Sequence, residues 1–109
     1  MSRTATPFIK LSISQLKKKA DALFSTFIRQ RDGGKCITCG KIDEWKYMQA
    51  GHYISRDITE LRYDPRNVNC QCYGCNVAKK GNYPVYAIKM IEKYGANILF
   101  ELDEIVKKY

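Results

Sequence analysis

The sequence predicts an α+β fold in which a small ββα unit, stapled by four cysteines, sits between an amphipathic N-terminal helix and C-terminal helices. Three observations predict it. The cysteines fall into two pairs, Cys36-Ile-Thr-Cys39 and Cys72-Tyr-Gly-Cys75, on either side of the only histidine, His52. Apolar residues recur at threes and fours before the first pair and after Asn82, whereas the stretch between the pairs has no such period. Paired Cys-x-x-Cys units of this kind close a tetrahedral thiolate site, so Cys36, Cys39, Cys72 and Cys75 are expected to hold a structural Zn2+.

Residues 1–11 read as a polar N-terminal arm and residues 12–109 as a single domain. From Ser12 or Ser14 to about Gln30, the spacing of Ile13, Leu16, Ala20, Leu23, Phe24, Phe27 and Ile28 puts one apolar stripe on a basic helix (12–31), which Asp32-Gly33-Gly34 stops. The core unit spans 35–82. Within it Cys36 to Gly40 reads as a zinc knuckle, Lys46 to Tyr53 as a strand, and Ser55 to Pro65 as a polar loop. Asn67 to Gln71 reads as a second strand, and Cys75 to Lys80 as the first turn of a helix. Pro84 suits the first turn of the next helix, whose apolar face is Val85, Ile88, Ile91 and Tyr94. Gly95 ends it, and Ile98, Leu99, Leu102, Ile105, Val106 and Tyr109 outline the last helix. These C-terminal helices (83–109) carry enough apolar surface to suggest a homodimer contact.

A chain of 109 residues buries only a modest core, which makes a metal staple physically useful. Five cysteines cannot all pair, and no run resembles a signal peptide or membrane span. The expected setting is therefore a reducing cytoplasm with metal-bound thiolates, no membrane partner, and Cys70 left over as a small strand residue.

The net charge of +8 is uneven. Residues 1–35 hold eight Lys/Arg against two Asp/Glu, residues 36–81 seven against five, and residues 82–109 four against four. A basic face attracts phosphate backbones by counterion release, giving affinity with little sequence preference. RNA-binding proteins show the same balance, and lysines such as Lys17, Lys18 and Lys19 also serve merely to solvate a helix.

Order in the middle segment narrows the chemistry. Gly51-His52, then Asn67, then Cys72-Tyr-Gly-Cys75-Asn76 is similar to the His-Asn-His pattern of the ββα-metal (HNH, His-Me finger) nucleases. Extended outwards, Ala50-Gly-His-Tyr53, Glu60-Leu-Arg-Tyr-Asp-Pro-Arg-Asn67, Gln71-Cys-Tyr-Gly-Cys-Asn76 and Gly81-Asn82 resemble the NinG (Rap) recombination proteins of lambda-type phages. Cys-x-x-Cys-Asn with an upstream Gly-His-Tyr is also similar to phage endonuclease VII, a junction resolvase with four-cysteine zinc.

The resemblance implies a structure-specific endonuclease that hydrolyses phosphodiester bonds in branched recombination intermediates such as Holliday junctions and D-loops, in the host cytoplasm. Such hydrolysis needs a water deprotonated near neutral pH and a positive charge beside the leaving 3′ oxygen, and an imidazole with one divalent cation supplies both. His52 is then the general base, and Asn76, fixed beside a zinc ligand, turns its amide oxygen to Mg2+ or Mn2+. Asn67 braces the loop or orients His52. Many nucleases of this type carry Asp or His before the base where this chain has Gly51, so waters, phosphate oxygens or Asp57, Glu60 and Asp64 complete the cation's shell. Arg56, Arg62, Arg66, Lys79 and Lys80 join the helix lysines as DNA contacts, with Arg62 foremost. Trp45, Tyr47 and Tyr53 serve either base stacking or packing.

This account requires His52 and Asn76 to converge on one cation. Blander roles exist for each residue: a satisfied strand histidine, a helix-cap amide, a turn asparagine, solvated loop charges. Together they make a non-catalytic zinc module that binds nucleic acid; a sequence-specific HNH nuclease is the third reading.

Overall fold

The structure, a computed structural model, describes residues 10–109; the expected N-terminal arm therefore lies almost wholly outside the described residues. Helix α1 covers Ile13–Arg31 and starts on a capping box: Ser12 Oγ accepts from Gln15 N (3.2 Å) and Gln15 Oε1 from Ser12 N (2.8 Å). It stops where expected, because Gly33 and Gly34 both adopt positive φ and a Cβ on Gly34 would run into the Asp43 carbonyl.

The stripe on α1 does not behave as a core face. Only Ile28 is buried; Leu23 is 73% exposed and Ile13 76%, and the α1 residues found beside the ribbon run from Asp21 through Phe24 and Ser25 to Arg31.

Strand β1 (Gln49–His52) pairs antiparallel with β2 (Val68–Gln71), in the register Gln49 with Gln71, Ala50 with Cys70, Gly51 with Asn69 and His52 with Val68. Both strands are shorter than the sequence suggests. A 3₁₀ turn at Trp45–Tyr47 takes the start of the expected first strand, and the polar loop contains one helical turn, α2 (Thr59–Arg62). The expected helix after Cys75 is also curtailed. It is a single π turn, Gly74–Ala78, ended by the positive φ of Lys80, Gly81 and Asn82.

Side chains alternate across a strand, so this register sorts the ribbon into two faces. Ala50 and His52 look toward α1, sharing a hollow with Asp21, Phe24 and Ser25. Gln49, Gly51, Asn69 and Gln71 look toward the π turn and helix α3 (Tyr83–Tyr94), with Asn76 bonded to Gln49 and Tyr86 donating to the Gly51 carbonyl at 2.6 Å.

Helices α3 and α4 (Ile98–Lys108) close the main apolar cluster of Leu61, Tyr86, Met90, Ile98 and Leu102. The buried face of α3 is Tyr86 and Met90, four residues apart; Ile88 and Ile91, expected to face inwards, are exposed. Tyr86 decides the rotation, since its hydroxyl finds the Gly51 carbonyl and Asn69 Nδ2 (3.2 Å) beneath the ribbon, and a buried phenol needs such partners. Cys70 joins a separate cluster with Met48 and three of the paired cysteines. Burial pushes its thiol up to about 11, consistent with an inert packing residue.

Tyr86→Phe leaves the Gly51 carbonyl and Asn69 Nδ2 short of a partner and is expected to cost about 1–2 kcal/mol. Thermal unfolding checks this: the midpoint falls by several degrees, whereas an unchanged midpoint means that the hydroxyl does not set the helix orientation.

Candidate metal centre and histidine hollow

The first cysteine pair is presented by a tight turn. Gly40 N donates to the Cys36 carbonyl (3.0 Å), Gly40 takes φ +81°, and Cys36 N donates to the Lys41 carbonyl (2.8 Å). Ile37 N reaches the Cys70 carbonyl of β2 at 2.8 Å, so the turn is docked against the second pair's own strand. The second pair enters the π turn, where Cys75 N points at Cys72 Sγ (3.4 Å) and Asn82 Nδ2 at Cys75 Sγ (3.8 Å).

All four Sγ atoms lie within 4.8 Å of one another, and Cys39 and Cys72 are 3.6 Å apart, far beyond a disulfide bond. Four sulfurs around a tetrahedral metal stand roughly 3.8 Å apart for ~2.3 Å metal–sulfur bonds. In this cluster the four sulfurs are close enough together to hold such a metal.

Its electrostatics agree. Burial alone raises the Cys36 thiol, but the Thr38 hydroxyl and the backbone N–H groups of Cys39, Cys72 and Thr38 outweigh it and bring it to about 6. A Lys41 backbone N–H lowers Cys39, yet burial and the other three sulfurs push it up to about 12. A thiolate forms readily at one position and penalises its neighbour, a conflict that a cation at the centre removes.

His52 lies on the other side of the ribbon. Its Nε2 is 2.9 Å from the Arg62 carbonyl, and the ring lines a hollow of about 190 Å³ with Asp21, Phe24, Ser25, Ala50, Arg56, Arg62 and Tyr63. Burial first, then the charges of Arg56 and Arg62, lowers its pKa below the ordinary 6.5, against the opposing pull of the Arg62 carbonyl and Asp21. A neutral imidazole whose Nε2 faces a carbonyl must carry its proton there, leaving Nδ1 as an acceptor.

Asn67 is fully buried and braces the loop: Nδ2 donates to the carbonyls of Ile54 and Leu61 (both 3.0 Å) and Oδ1 accepts from Ile54 N (2.8 Å). Asn76 is half-buried, with Nδ2 on Gln49 Oε1 (2.7 Å). Its Oδ1 lies 3.1 Å from the point where a Gly51 Cβ would stand, beside Gln71 Oε1. Amide oxygens with no donor between them suit a hard cation.

Several expected groupings are not found. His52 and Asn76 do not share a face, because Gly51, which Asn76 overlooks, and His52 are successive strand residues. Asp64 is bound to Arg66 (3.1 Å), Asp57 and Glu60 are exposed, and among the described residues the four cysteines are the one His/Cys/Asp/Glu group placed to hold a metal. Arg62 is not a free guanidinium but forks onto Asp21 at 2.8 and 2.5 Å, and Arg66 is shared between Asp64 and Glu101 (2.9 Å). Lys17, Lys18, Lys19, Lys79, Lys80 and Arg56 are exposed, and Lys17 and Lys18 border a second shallow hollow with Asp21 and Arg62, contiguous with that of His52. Tyr53 packs on Tyr86, Trp45 lies under Arg29, and Tyr47 is exposed.

Sequence reasoning missed Asp21 and Gln71. Asp21 stands out as the single acid of α1, and Asn67, Asn69 and Gln71 place three buried amides at alternate positions of the chain.

Fold and site together define an α+β protein built on a two-stranded ribbon with a cluster of four cysteines placed to hold a metal. The family described as "Bacteriophage Lambda NinG protein" matches residues 7–108, and the chain belongs to the NinG family. It is 35% identical over 94 residues to protein ninG of Salmonella phage P22, covering 84% of this chain and 46% of that protein. It is 34% identical over 88 residues to protein ninG of Escherichia phage lambda, covering 79% and 43%. The chain thus spans less than half the length of these relatives. No solved structure matches it, and no described helix is long and apolar enough to cross a membrane.

Purified protein should carry one thiolate-bound metal per chain by elemental analysis. Cys39→Ser and Cys75→Ser should each lose it together with the cooperative unfolding transition, because metal binding here is coupled to folding. Wild-type metal content and thermal stability in both variants would contradict the assignment.

Proposed function

We propose that this NinG-family chain is the DNA-cleaving part of a metal-dependent, structure-specific endonuclease acting on branched DNA, with Zn2+ in the four-cysteine site as scaffold. The observation that carries the reading is the 2.9 Å contact between His52 Nε2 and the Arg62 carbonyl, in a hollow bordered by arginines. It fits a general base whose Nδ1 takes a proton from water near neutral pH. Asn76 is the residue that would hold Mg2+ or Mn2+, a cation that supplies positive charge to the cleaved phosphate. Because Asn76 lies across the ribbon from His52, the reading requires both to reach one phosphate past the end of β1, where His52 stands.

This chain's own groups divide the remaining work. Arg56, with Lys17 and Lys18 on the adjoining hollow, draws the phosphate backbone in. Arg62 and Tyr63 both bind Asp21, Tyr63 through its hydroxyl at 2.8 Å, so they already hold an oxyanion next to His52. A DNA phosphate presents the same kind of acceptor and would take the fork in exchange for Asp21.

The second reading, a zinc module that binds nucleic acid without cutting it, is favoured by the placement of His52 and Asn76 on opposite faces of the ribbon. Incubation with a four-way junction and Mg2+ or Mn2+ separates the two. The nuclease reading predicts metal-dependent nicking that His52→Ala lowers by roughly 10²-fold or more without loss of junction binding. Binding with no cleavage under either metal supports the module, and cleavage of one preferred duplex sequence would point to a sequence-specific enzyme instead.

A pH profile follows from the lowered pKa. Cleavage should rise about tenfold per pH unit in acid and level off below pH 6.5, the ordinary histidine value. For stability the sign is the same. The unfolded chain takes up the histidine proton first, so the contribution of His52 is complete above pH 6.5 and is lost as the pH falls toward the folded value. A rate still rising steeply above pH 7 would contradict His52 as the base.

A further inference from the structure

We propose that Gln71 is a ligand of the divalent cation, its side-chain oxygen and that of Asn76 meeting in the space over Gly51. The inference deepens the nuclease reading and rests on it for the cation's role, though not for the binding site.

Three amides, Asn67 just before β2 and Asn69 and Gln71 within it, fall on alternate positions of the chain, and all are fully buried. Asn67 uses both ends of its amide on the loop backbone. Asn69 is likewise spent: Oδ1 accepts from Arg31, Lys93 and Tyr94, and Nδ2 donates to Tyr86 and the Arg66 carbonyl. Gln71 differs. Its Nε2 donates to the Gly81 carbonyl (3.0 Å) and Thr38 Oγ1 (3.3 Å), while Oε1 is the one buried side-chain N/O atom without a hydrogen-bond partner among the described residues. Turning the amide over would set its oxygen against the Gly81 carbonyl, so the orientation is fixed by its surroundings.

An unpartnered buried acceptor costs folding free energy that a merely structural glutamine would avoid. Gln71 Oε1 occupies the place of a Gly51 Cβ, and Asn76 Oδ1 is 3.1 Å from that same point. Both oxygens offer lone pairs there, both NH₂ groups are engaged elsewhere, and Asn76 is the partly exposed member of the pair. Glycine is therefore required at position 51, and the oxygen that a residue there would supply arrives from the neighbouring strand instead. Two neutral amides hold Mg2+ or Mn2+ weakly, so phosphate oxygens are needed to complete the shell and binding becomes DNA-dependent.

The test reads metal directly. In zinc-loaded His52→Ala protein, chosen so that the DNA stays intact, Mn2+ binding is followed by electron paramagnetic resonance with and without a four-way junction. One Mn2+ per chain is expected, tightened by the junction; Asn76→Asp should strengthen it and Gln71→Leu weaken it, each by roughly tenfold. Gly51→Ala, which displaces the Gln71 oxygen, should weaken it similarly, and zinc content with circular dichroism verifies that each variant is folded. Mn2+ affinity unchanged in folded Gln71→Leu and Gly51→Ala overturns the inference. That result is expected if Asn76 and Gln49 are turned over and Asn76 Nδ2 simply bonds Gln71 Oε1. Cleavage by wild-type protein with that outcome leaves the nuclease standing without this ligand, whereas Mn2+ bound as expected with no cleavage leaves the ligand and removes the nuclease.

Discussion

The histidine hollow depends on one buried side chain, the amide of Asn67. By bonding the carbonyls of both Ile54 and Leu61 and the N–H of Ile54, it draws the start of the loop and the turn α2 together at the foot of β2. The next carbonyl along, that of Arg62, then meets His52. Without that brace, nine residues of chain separate the imidazole from the residue whose carbonyl selects its tautomer, and loops of that length do not hold a carbonyl in place unaided. The Arg62 fork on Asp21 ties the same loop to α1, so three elements meet around the ring.

The other half of the molecule is organised by sulfur. The turn carrying Cys36 and Cys39 docks on β2 through Ile37, and the π turn carrying Cys72 and Cys75 continues from the same strand. A metal bound by all four therefore fixes the π turn, and with it Asn76, over Gly51 and Gln71. The ribbon separates two kinds of chemistry: an imidazole and paired charges on the α1 side, and amide oxygens beside the thiolates on the other.

Much of this was legible in the sequence, and the failures have physical causes. Helix boundaries followed Ser12, the Gly33-Gly34 stop, Pro84 and Gly95, because caps and breakers act locally. The spacing within each Cys-x-x-Cys pair pointed to the four-cysteine cluster, because each pair is presented by its own tight turn. The rotation of α3 was not legible, since Tyr86 is chosen by hydrogen bonds to residues far away in the chain, and periodicity favoured the more apolar Ile88 and Ile91. The convergence of His52 and Asn76 was inferred from order along the chain. Order does not report strand parity, and the alternation of side chains placed them apart. Asp21 was hidden because its partners, Arg62 and Tyr63, are some forty residues further on.

The central claim is that His52 is held as a neutral base by the Arg62 carbonyl, and a chain with a single histidine allows it to be observed directly. A long-range proton–nitrogen correlation spectrum of the imidazole, recorded as pH is lowered, gives both tautomer and pKa. The account predicts one ring carrying its proton on Nε2 and titrating below 6.5; a ring protonated on Nδ1, or one titrating above that value, would contradict it.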